Sequence, residues 1–266
     1  MIFKQFRFEP LSQASYLVGC VRAKEGVVVD PIANLGPDHY VLEAADLGLS
    51  LVGVLETHVH ADFVSCAREL AEMTGAPHYL HEAARELVRY DFTPLSDGQT
   101  LDIGKVRIAA IHTPGHTPEH TAYLVTDLAR SEEPWFVLTG DSLFAGDVGR
   151  PDLLLGEQAL DVMDERERAA MLYRSIQARL FTLPDHVEMF PNHYGGSTCG
   201  GVNMSGKVSS TIGFEKRFNL AMKQPSAEAF AAFVHETAKP FPKDYGRIKS
   251  YNLGLISRDE LQEARA

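Results

Sequence analysis

Four hydrophobic segments of this 266-residue chain each end in a short polar loop that carries histidine or aspartate. The loops are THVHADF at 57–63, TPGHTPEH at 113–120, TGD at 139–141 and PNHYGG at 191–196. Each follows an apolar run of strand length, and three contain glycine or proline, which favour tight turns. Metal ligands in proteins come from separate elements that hold them rigidly. The four loops therefore predict a converging cluster of metal-binding side chains.

The first loop carries two histidines, His58 and His60, at the end of the segment LVGVLETH. Side chains alternate along a strand, so residues two apart point the same way and both can approach one ion. Asp62 comes next, where it is either part of the site or the N-cap of a following helix. In the second loop, proline and glycine hold His116 on exposed, rigid backbone.

Three further acidic or histidine residues lie at strand ends. Asp141 and His193 occupy the tips of the third and fourth hydrophobic segments. Asp30 ends the segment VVVD, where it is either a turn-former or a support for the ligands. The sequence alone leaves these two roles open.

The order of the predicted elements indicates the α/β class, because strands alternate with amphipathic helices along the chain. Helices are predicted at 36–50, at 63–75 and at about 158–180, and the chain is mostly helical after about 208. We expect two sheets packed face to face and covered by helices. Residues 1–222 would form the catalytic domain, and 223–266 a helical extension packed on the same domain.

Charge and cysteine content exclude several classes of protein. The net charge is −11 and no run of lysine or arginine occurs, which argues against a nucleic-acid partner. The three cysteines form no CxxC pair, so we expect a reducing compartment and no disulfide framework. The N-terminus lacks a signal-peptide pattern, and no segment approaches the roughly 18 apolar residues of a membrane span. These features predict a cytoplasmic protein without membrane association.

A set of five motifs resembles that of the metallo-β-lactamase superfamily: Asp30, HxHxD at 58–62, GHTPEH with His116, TGD with Asp141, and His193. The resemblance covers about residues 10–200 and implies an αββα sandwich with two mixed sheets flanked by helices. The family pattern usually reads HxHxDH, but this chain has Phe63 at the last position. A phenyl ring has no lone pair for a metal, so this departure favours one metal ion over two.

Three further segments are similar to the persulfide dioxygenase branch, the ethylmalonic encephalopathy protein-like enzymes. They are THVHADFVS at 57–65, GDVGRPDL at 146–153 and SSTIGFEKRFN at 209–219. The first looks like bacterial members that are often fused to a rhodanese domain. The chain ends soon after the expected junction, so we expect no fused rhodanese domain. A rhodanese on a separate chain is then a candidate partner.

The resemblance implies one Fe(II) per chain, bound by His58, His116 and Asp141, with zinc as the alternative. It implies supporting positions around these ligands for His60, Asp62, His193 and Asp30. Spacing alone would also allow His60 as a direct ligand in a three-histidine site, which would suit zinc.

Three more residues are predicted to contact substrate or to react. Arg150, nine residues after Asp141, would pair with a carboxylate of the thiol carrier. Tyr194 would add a hydroxyl contact. Cys199 lies in the glycine-rich segment GGSTCGG, which we expect to be a flexible loop near the mouth of the site, and it is a candidate redox residue.

The resemblance implies oxidation of a low-molecular-weight thiol persulfide, such as glutathione persulfide, with O2 to sulfite and the free thiol. The first alternative is a zinc-dependent thioester or lactone hydrolase of the glyoxalase II type. The second is a non-catalytic sulfur-relay protein that depends on Cys199. Whether the chain forms a homo-oligomer is open, and helices after 208 are candidates for pairing subunits.

Overall fold

The computed structural model describes residues 1–154, 164–240 and 242–263. Its first sheet has six strands in sequential order. They are β1 (Ile2–Phe8), β2 (Gln13–Cys20), β3 (Glu25–Val29), β4 (Ser50–Leu55), β5 (His78–His81) and β6 (Thr93–Leu95). Strands β1 to β3 pair antiparallel, whereas β3 to β6 pair parallel, so the sheet is mixed.

The second sheet also has six strands, in the order β14-β13-β10-β9-β8-β7. Strands β11 and β12 form a separate two-stranded hairpin. The strands after β6 are β7 (Thr100–Ile103), β8 (Val106–His112), β9 (Thr121–Asp127), β10 (Phe136–Gly140), β11 (Leu143–Phe144), β12 (Asp147–Val148), β13 (Glu188–Pro191) and β14 (Ser210–Thr211). This sheet is mixed as well, because β10 and β13 are parallel while the other pairs are antiparallel.

Helices cover the outer faces of both sheets. The α-helices are α1 (Pro37–Asp46), α2 (Ala67–Thr74), α3 (Glu165–Ser175), α4 (Ile212–Phe218), α5 (Ala227–Thr237), α6 (Tyr245–Asn252) and α7 (Arg258–Glu263). Helices α1 and α2 pack on the first sheet, and α3 and α5 pack on the second. The predicted αββα sandwich with two mixed sheets is thereby confirmed.

The alternation of side chains in β2 explains the layering. Tyr16 and Val18 point into the core between the two sheets, where they meet residues of β8 and β9. Leu17 points the other way and packs under α1 and α2. Every residue of β2 is buried, because both faces of this strand are covered.

Two helices differ from the sequence-based expectation. The helix expected at 63–75 begins only at Ala67, because backbone groups of the preceding loop bond to α6 rather than to a helical turn. Of the helix expected at 158–180, residues 158–163 lie outside the described residues. Beyond them, α3 continues as one π-helical turn over Ile176–Leu180.

The chain after residue 208 forms α4 to α7. Helix α5 packs on α3, and α6 lies against the loop that follows β4. The boundary at 222/223 stays a prediction. Among the described residues, no helix combines the length and the apolar character that spanning a membrane requires.

Candidate metal centre

The ends of β4, β8 and β10 bring three predicted ligands together. One ligand atom each from His58, His116 and Asp141 lies within 4.8 Å of the other two. Asp141 Oδ2 is 3.6 Å from His116 Nε2 and 4.0 Å from His58 Nε2. All three side chains are buried. Three residues from separate strand ends therefore face one small volume.

Hydrogen bonds on the far side of each ring set the tautomers of the two histidines. His58 Nδ1 lies 3.0 Å from Thr57 Oγ1, which itself donates to Asp30, so the Nδ1–H donates to this hydroxyl. His116 Nδ1–H donates to the Arg150 carbonyl oxygen at 2.8 Å. Both Nε2 lone pairs are thus left for a cation, as in histidines that bind metals.

The ionisation of the cluster also suits a cation. Burial lowers the pKa of His58 well below its ordinary value and the pKa of His116 to about 4, so both rings are neutral near pH 7. Burial raises the pKa of Asp141 to about 6. Among the described residues, no nitrogen or oxygen donor bonds to either oxygen of this carboxylate. Its hydrogen-bond partner is the Cys199 thiol. A buried carboxylate with so little compensation is stabilised by a positive ion, so these residues fit a divalent metal.

Asp30 orders the loops around the cluster. Its carboxylate accepts hydrogen bonds from the Thr57 N–H at 2.7 Å, from Asn192 Nδ2 at 2.8 Å and from His60 Nε2 at 2.9 Å. Asp30 has φ 53°, a left-handed conformation that is strained for a residue other than glycine. The Thr57 hydroxyl is a fourth donor to the same carboxylate. The strained backbone conformation of Asp30 thus occurs at a residue whose side chain accepts four buried hydrogen bonds.

His60 is not one of the three clustered ligands: its Nε2 bonds to Asp30, although its ring lies 4.2 Å from the His58 ring. Burial alone would lower its pKa, but the charge and hydrogen bond of Asp30 raise it above its ordinary value. The three-histidine site that spacing allowed is therefore not assembled. Phe63 is 1% exposed, and its ring packs 4.1 Å from the His60 ring.

A second group of ligand types lies beside the first. Atoms of Asp62, His193 and Cys199 are within 4.8 Å of one another. His193 Nε2 is 3.0 Å from Asp62 Oδ2 and 3.6 Å from Asp141 Oδ2. Burial lowers the pKa of His193, but Asp141, Cys199 and Asp62 together raise it well above its ordinary value. The combined cluster thus concentrates acidic groups around two candidate positions for a cation.

Cys199 corrects a sequence-based expectation. It was expected in a flexible loop at the mouth, but the side chain is fully buried, with Sγ 2.9 Å from the Tyr245 hydroxyl. Burial raises the pKa of this thiol to about 12, so little thiolate forms near neutral pH.

Tyr194 is also mostly buried, and burial together with Glu9 raises its pKa to about 12. Its contact with substrate stays a prediction.

Arg150 has an internal partner. Its guanidinium donates to both oxygens of Asp152, at 2.9 and 2.6 Å, and to the Thr198 carbonyl at 3.3 Å. The side chain is 2% exposed, so a substrate carboxylate would have to displace Asp152 to reach it. Its carbonyl oxygen receives the His116 Nδ1–H. The Arg150 carbonyl therefore supports the His116 ring, and the guanidinium is paired internally; its contact with substrate stays a prediction.

We expect Arg150→Gln and Asp152→Asn to lower the free energy of unfolding by similar amounts, about 2 kcal/mol, because each breaks the same ion pair. Chemical denaturation measures the loss, and steady-state kinetics measure KM. The alternative, a substrate anchor, predicts a higher KM for Arg150→Gln alone, with stability unchanged.

A cavity of about 580 Å³ adjoins the cluster. Asp62 and Phe63 line it, as do Tyr245 and Ile248 of α6. Two cationic side chains, Lys243 and Arg258, also contribute to the lining. The volume suits a small molecule.

Sequence reasoning missed several supporting residues. His120 Nε2 accepts the Asp141 N–H at 3.0 Å, and its Nδ1–H donates to Thr113 Oγ1 at 2.8 Å. Gly140 has φ 53°, and a Cβ there would lie 2.6 Å from His120 Nε2. The second histidine of GHTPEH was a visible signal. The contributions of Asn192 and of α6 had none, because they depend on contacts between distant segments.

Comparisons with known proteins cover most of the chain. The profile of the metallo-beta-lactamase superfamily matches residues 9–189. The human mitochondrial persulfide dioxygenase ETHE1 is 28% identical over 248 residues, covering 89% of this chain and 82% of the human protein. The crystal structure of ETHE1 from Myxococcus xanthus has a TM-score of 0.77 at 27% identity, covering 96% of this chain and 99% of its own. A metallo-beta-lactamase from Staphylococcus aureus subsp. aureus COL has a TM-score of 0.84 at 32% identity, covering 95% and 72%.

Proposed function

The chain belongs to the metallo-β-lactamase superfamily, and we propose that it is a persulfide dioxygenase with one Fe(II) held by His58, His116 and Asp141. The observation that carries the proposal is the buried cluster of two neutral imidazoles and one carboxylate to which no nitrogen or oxygen donor of the described residues bonds. Two histidines and one carboxylate are the donor set of non-haem Fe(II) oxygenases. Three relatives named persulfide dioxygenase, at 27 to 28% identity, support the choice of branch.

When bound, the iron supplies a redox-active centre with open coordination positions for O2 and for the persulfide sulfur. The protein residues orient the ligands and exclude water. Thr57 and the Arg150 carbonyl fix the two imidazoles, and His120 fixes the backbone of Asp141. All of these groups are buried, so ligand geometry is set before substrate enters.

The reaction balances without a further co-reactant except water. One persulfide, one O2 and one water give one thiol, one sulfite and two protons. The terminal sulfur loses four electrons, and O2 gains them. No side-chain nucleophile is needed, so the chain's residues act by binding and positioning.

The cavity beside Asp62 suits a small carrier molecule. Lys243 and Arg258 in its lining are cations that can pair with the carboxylate groups of a carrier such as glutathione. Arg258 also lies 3.7 Å from Glu69, and Asp62 and Asp244 line the cavity too. We propose these two cations, rather than Arg150, as the first partners of the carrier. We also propose a cytoplasmic location and, as sulfur partner, a separate rhodanese.

The test compares iron-loaded and zinc-loaded protein given glutathione persulfide. We expect O2 uptake and sulfite formation in a one-to-one ratio with iron, and neither with zinc. Protein shown to contain one iron that consumes no O2 with glutathione persulfide or other thiol persulfides would contradict the proposal.

A second candidate function is a zinc-dependent thioester or lactone hydrolase. The observation that favours it is the second group, Asp62, His193 and Cys199, which lies next to Asp141 and offers ligands for another ion. Phe63 weakens it, because this side chain gives no ligand. Hydrolysis of a glutathione thioester by zinc-loaded protein, without O2 uptake, would favour this candidate.

Replacing Cys199 with serine distinguishes the dioxygenase from a sulfur-relay protein. We expect Cys199→Ser to keep at least about half of the O2 uptake, because the thiol is buried, protonated and outside the three clustered ligands. Serine keeps the size and a hydrogen bond toward Tyr245. A relay would lose its function completely in this variant.

A further inference from the structure

Three backbone groups of the loop that follows His58 bond to one side chain of a distant helix. Asn252 Nδ2, at the end of α6, donates to the His60 carbonyl at 2.9 Å and to the Phe63 carbonyl at 2.8 Å. Its Oδ1 accepts the Ser65 N–H at 3.1 Å. An asparagine amide has two N–H donors and one carbonyl acceptor, so all of its groups are used.

These bonds lie in the interior. Asn252 is 4% exposed, and the loop residues it contacts are buried. Inside a protein a carbonyl that loses its donor has no water to replace it. The loop has no regular secondary structure of its own between β4 and α2, so the position of His58 depends on such contacts.

Lys249, three residues before Asn252, lies on the same face of α6 and reaches the same loop. Its ammonium group donates to the Val59 carbonyl. The Glu119 carboxylate accepts a hydrogen bond from the Val59 N–H at 2.9 Å. The same carboxylate lies 4.0 Å from the Lys249 ammonium group. Both peptide groups of Val59, the residue next to His58, are therefore held.

The same face of α6, one and two turns earlier, borders the cavity. Tyr245 and Ile248 line it, and the Tyr245 hydroxyl contacts Cys199. Helix α6 thus joins the wall of the cavity to the loop that carries His58. It lies beyond residue 189, where the match to the family profile ends.

We propose that Asn252, assisted by Lys249, is a positioning residue of the metal centre, and that α6 completes the site. Asn252 acts through the backbone of residues 60–65, which holds His58 at its distance from the other ligands. The inference rests on the proposed metal centre but not on the dioxygenase reaction.

The test is a titration of metal-free protein with Co(II), which gives an affinity and a visible spectrum that reports coordination geometry. We compare wild type with Asn252→Asp, which has the same shape but places an oxygen atom, which cannot donate when ionised, opposite the two carbonyls. We expect the Kd for Co(II) to rise about 10- to 100-fold, the range for residues that support metal ligands, with a changed spectrum.

Tyr251→Phe is the matched control. Tyr251 lies next to Asn252, but its hydroxyl donates to Glu69 of α2 at 2.9 Å and not to the metal loop. We expect this variant to lose some thermal stability while its Co(II) affinity and spectrum stay unchanged. Folded Asn252→Asp with wild-type affinity and spectrum would overturn the proposal.

If Asn252→Asp does not fold, Lys249→Met tests the same proposal. Methionine keeps most of the bulk of the side chain and removes the ammonium group that bonds to the metal loop. We expect about a tenfold rise in Kd for Co(II). An unchanged Kd in folded Lys249→Met would then overturn the proposal. Since Co(II) binding is independent of O2, these results stand apart from the dioxygenase assay.

Discussion

Replacing Asp141 with asparagine is expected to remove bound metal and activity together. Asp141 is the only carboxylate of the three clustered ligands, and its two oxygens have no nitrogen or oxygen donor among the described residues. An amide is neutral, so it would not balance the charge of a divalent ion in this buried position. We expect activity to fall by more than about 100-fold, beyond the usual effect of changing a supporting residue.

The measurement is metal content and O2 uptake of the same sample. Asp185→Asn is the control, because this carboxylate is 74% exposed and pairs with Lys216 at the surface. It should keep full metal content and activity. Asp141→Asn protein that retains one ion per chain and a substantial rate would remove Asp141 from the ligand set.

Gly149→Ala is expected to damage the centre through packing. A Cβ at Gly149 would lie 1.7 Å from the Asp141 carbonyl oxygen and 3.2 Å from His116 Nδ1. Backbone cannot yield as a flexible side chain does, so two ligands must shift. We expect a loss of about 1–3 kcal/mol in the free energy of unfolding, together with weaker metal binding.

Gly206→Ala is the matched control, because a Cβ there meets nothing within 4 Å. Thermal denaturation and Co(II) titration of both variants measure the two effects. Wild-type metal affinity in Gly149→Ala, with only Tm lowered, would show that ligand geometry tolerates the shift and that our account of this contact is wrong.

The motifs predicted the fold and the superfamily, and the profile match and structural neighbours confirm both. They succeed because His58, His116 and Asp141 lie at strand ends, where hydrophobic periodicity and turn residues are visible in the sequence. The structure brings these three together as expected. Their role as metal ligands stays a proposal.

Expectations for Arg150 and Cys199 depended on exposure, which the sequence does not encode locally. Arg150 is buried by its pairing with Asp152 and by the segment around Thr198. Cys199 is covered by Tyr245 from α6, 46 residues away in the chain. A glycine-rich sequence suggested a flexible loop, but a helix from the C-terminal part of the chain packs over it.

The most direct test of the account is the number of iron ions per chain after anaerobic loading with Fe(II) and removal of excess metal. We expect one iron in wild type, one in His193→Ala and none in His116→Ala, because only His58, His116 and Asp141 hold the ion. Two ions in wild type, falling to one in His193→Ala, would contradict a mononuclear centre and favour the hydrolase.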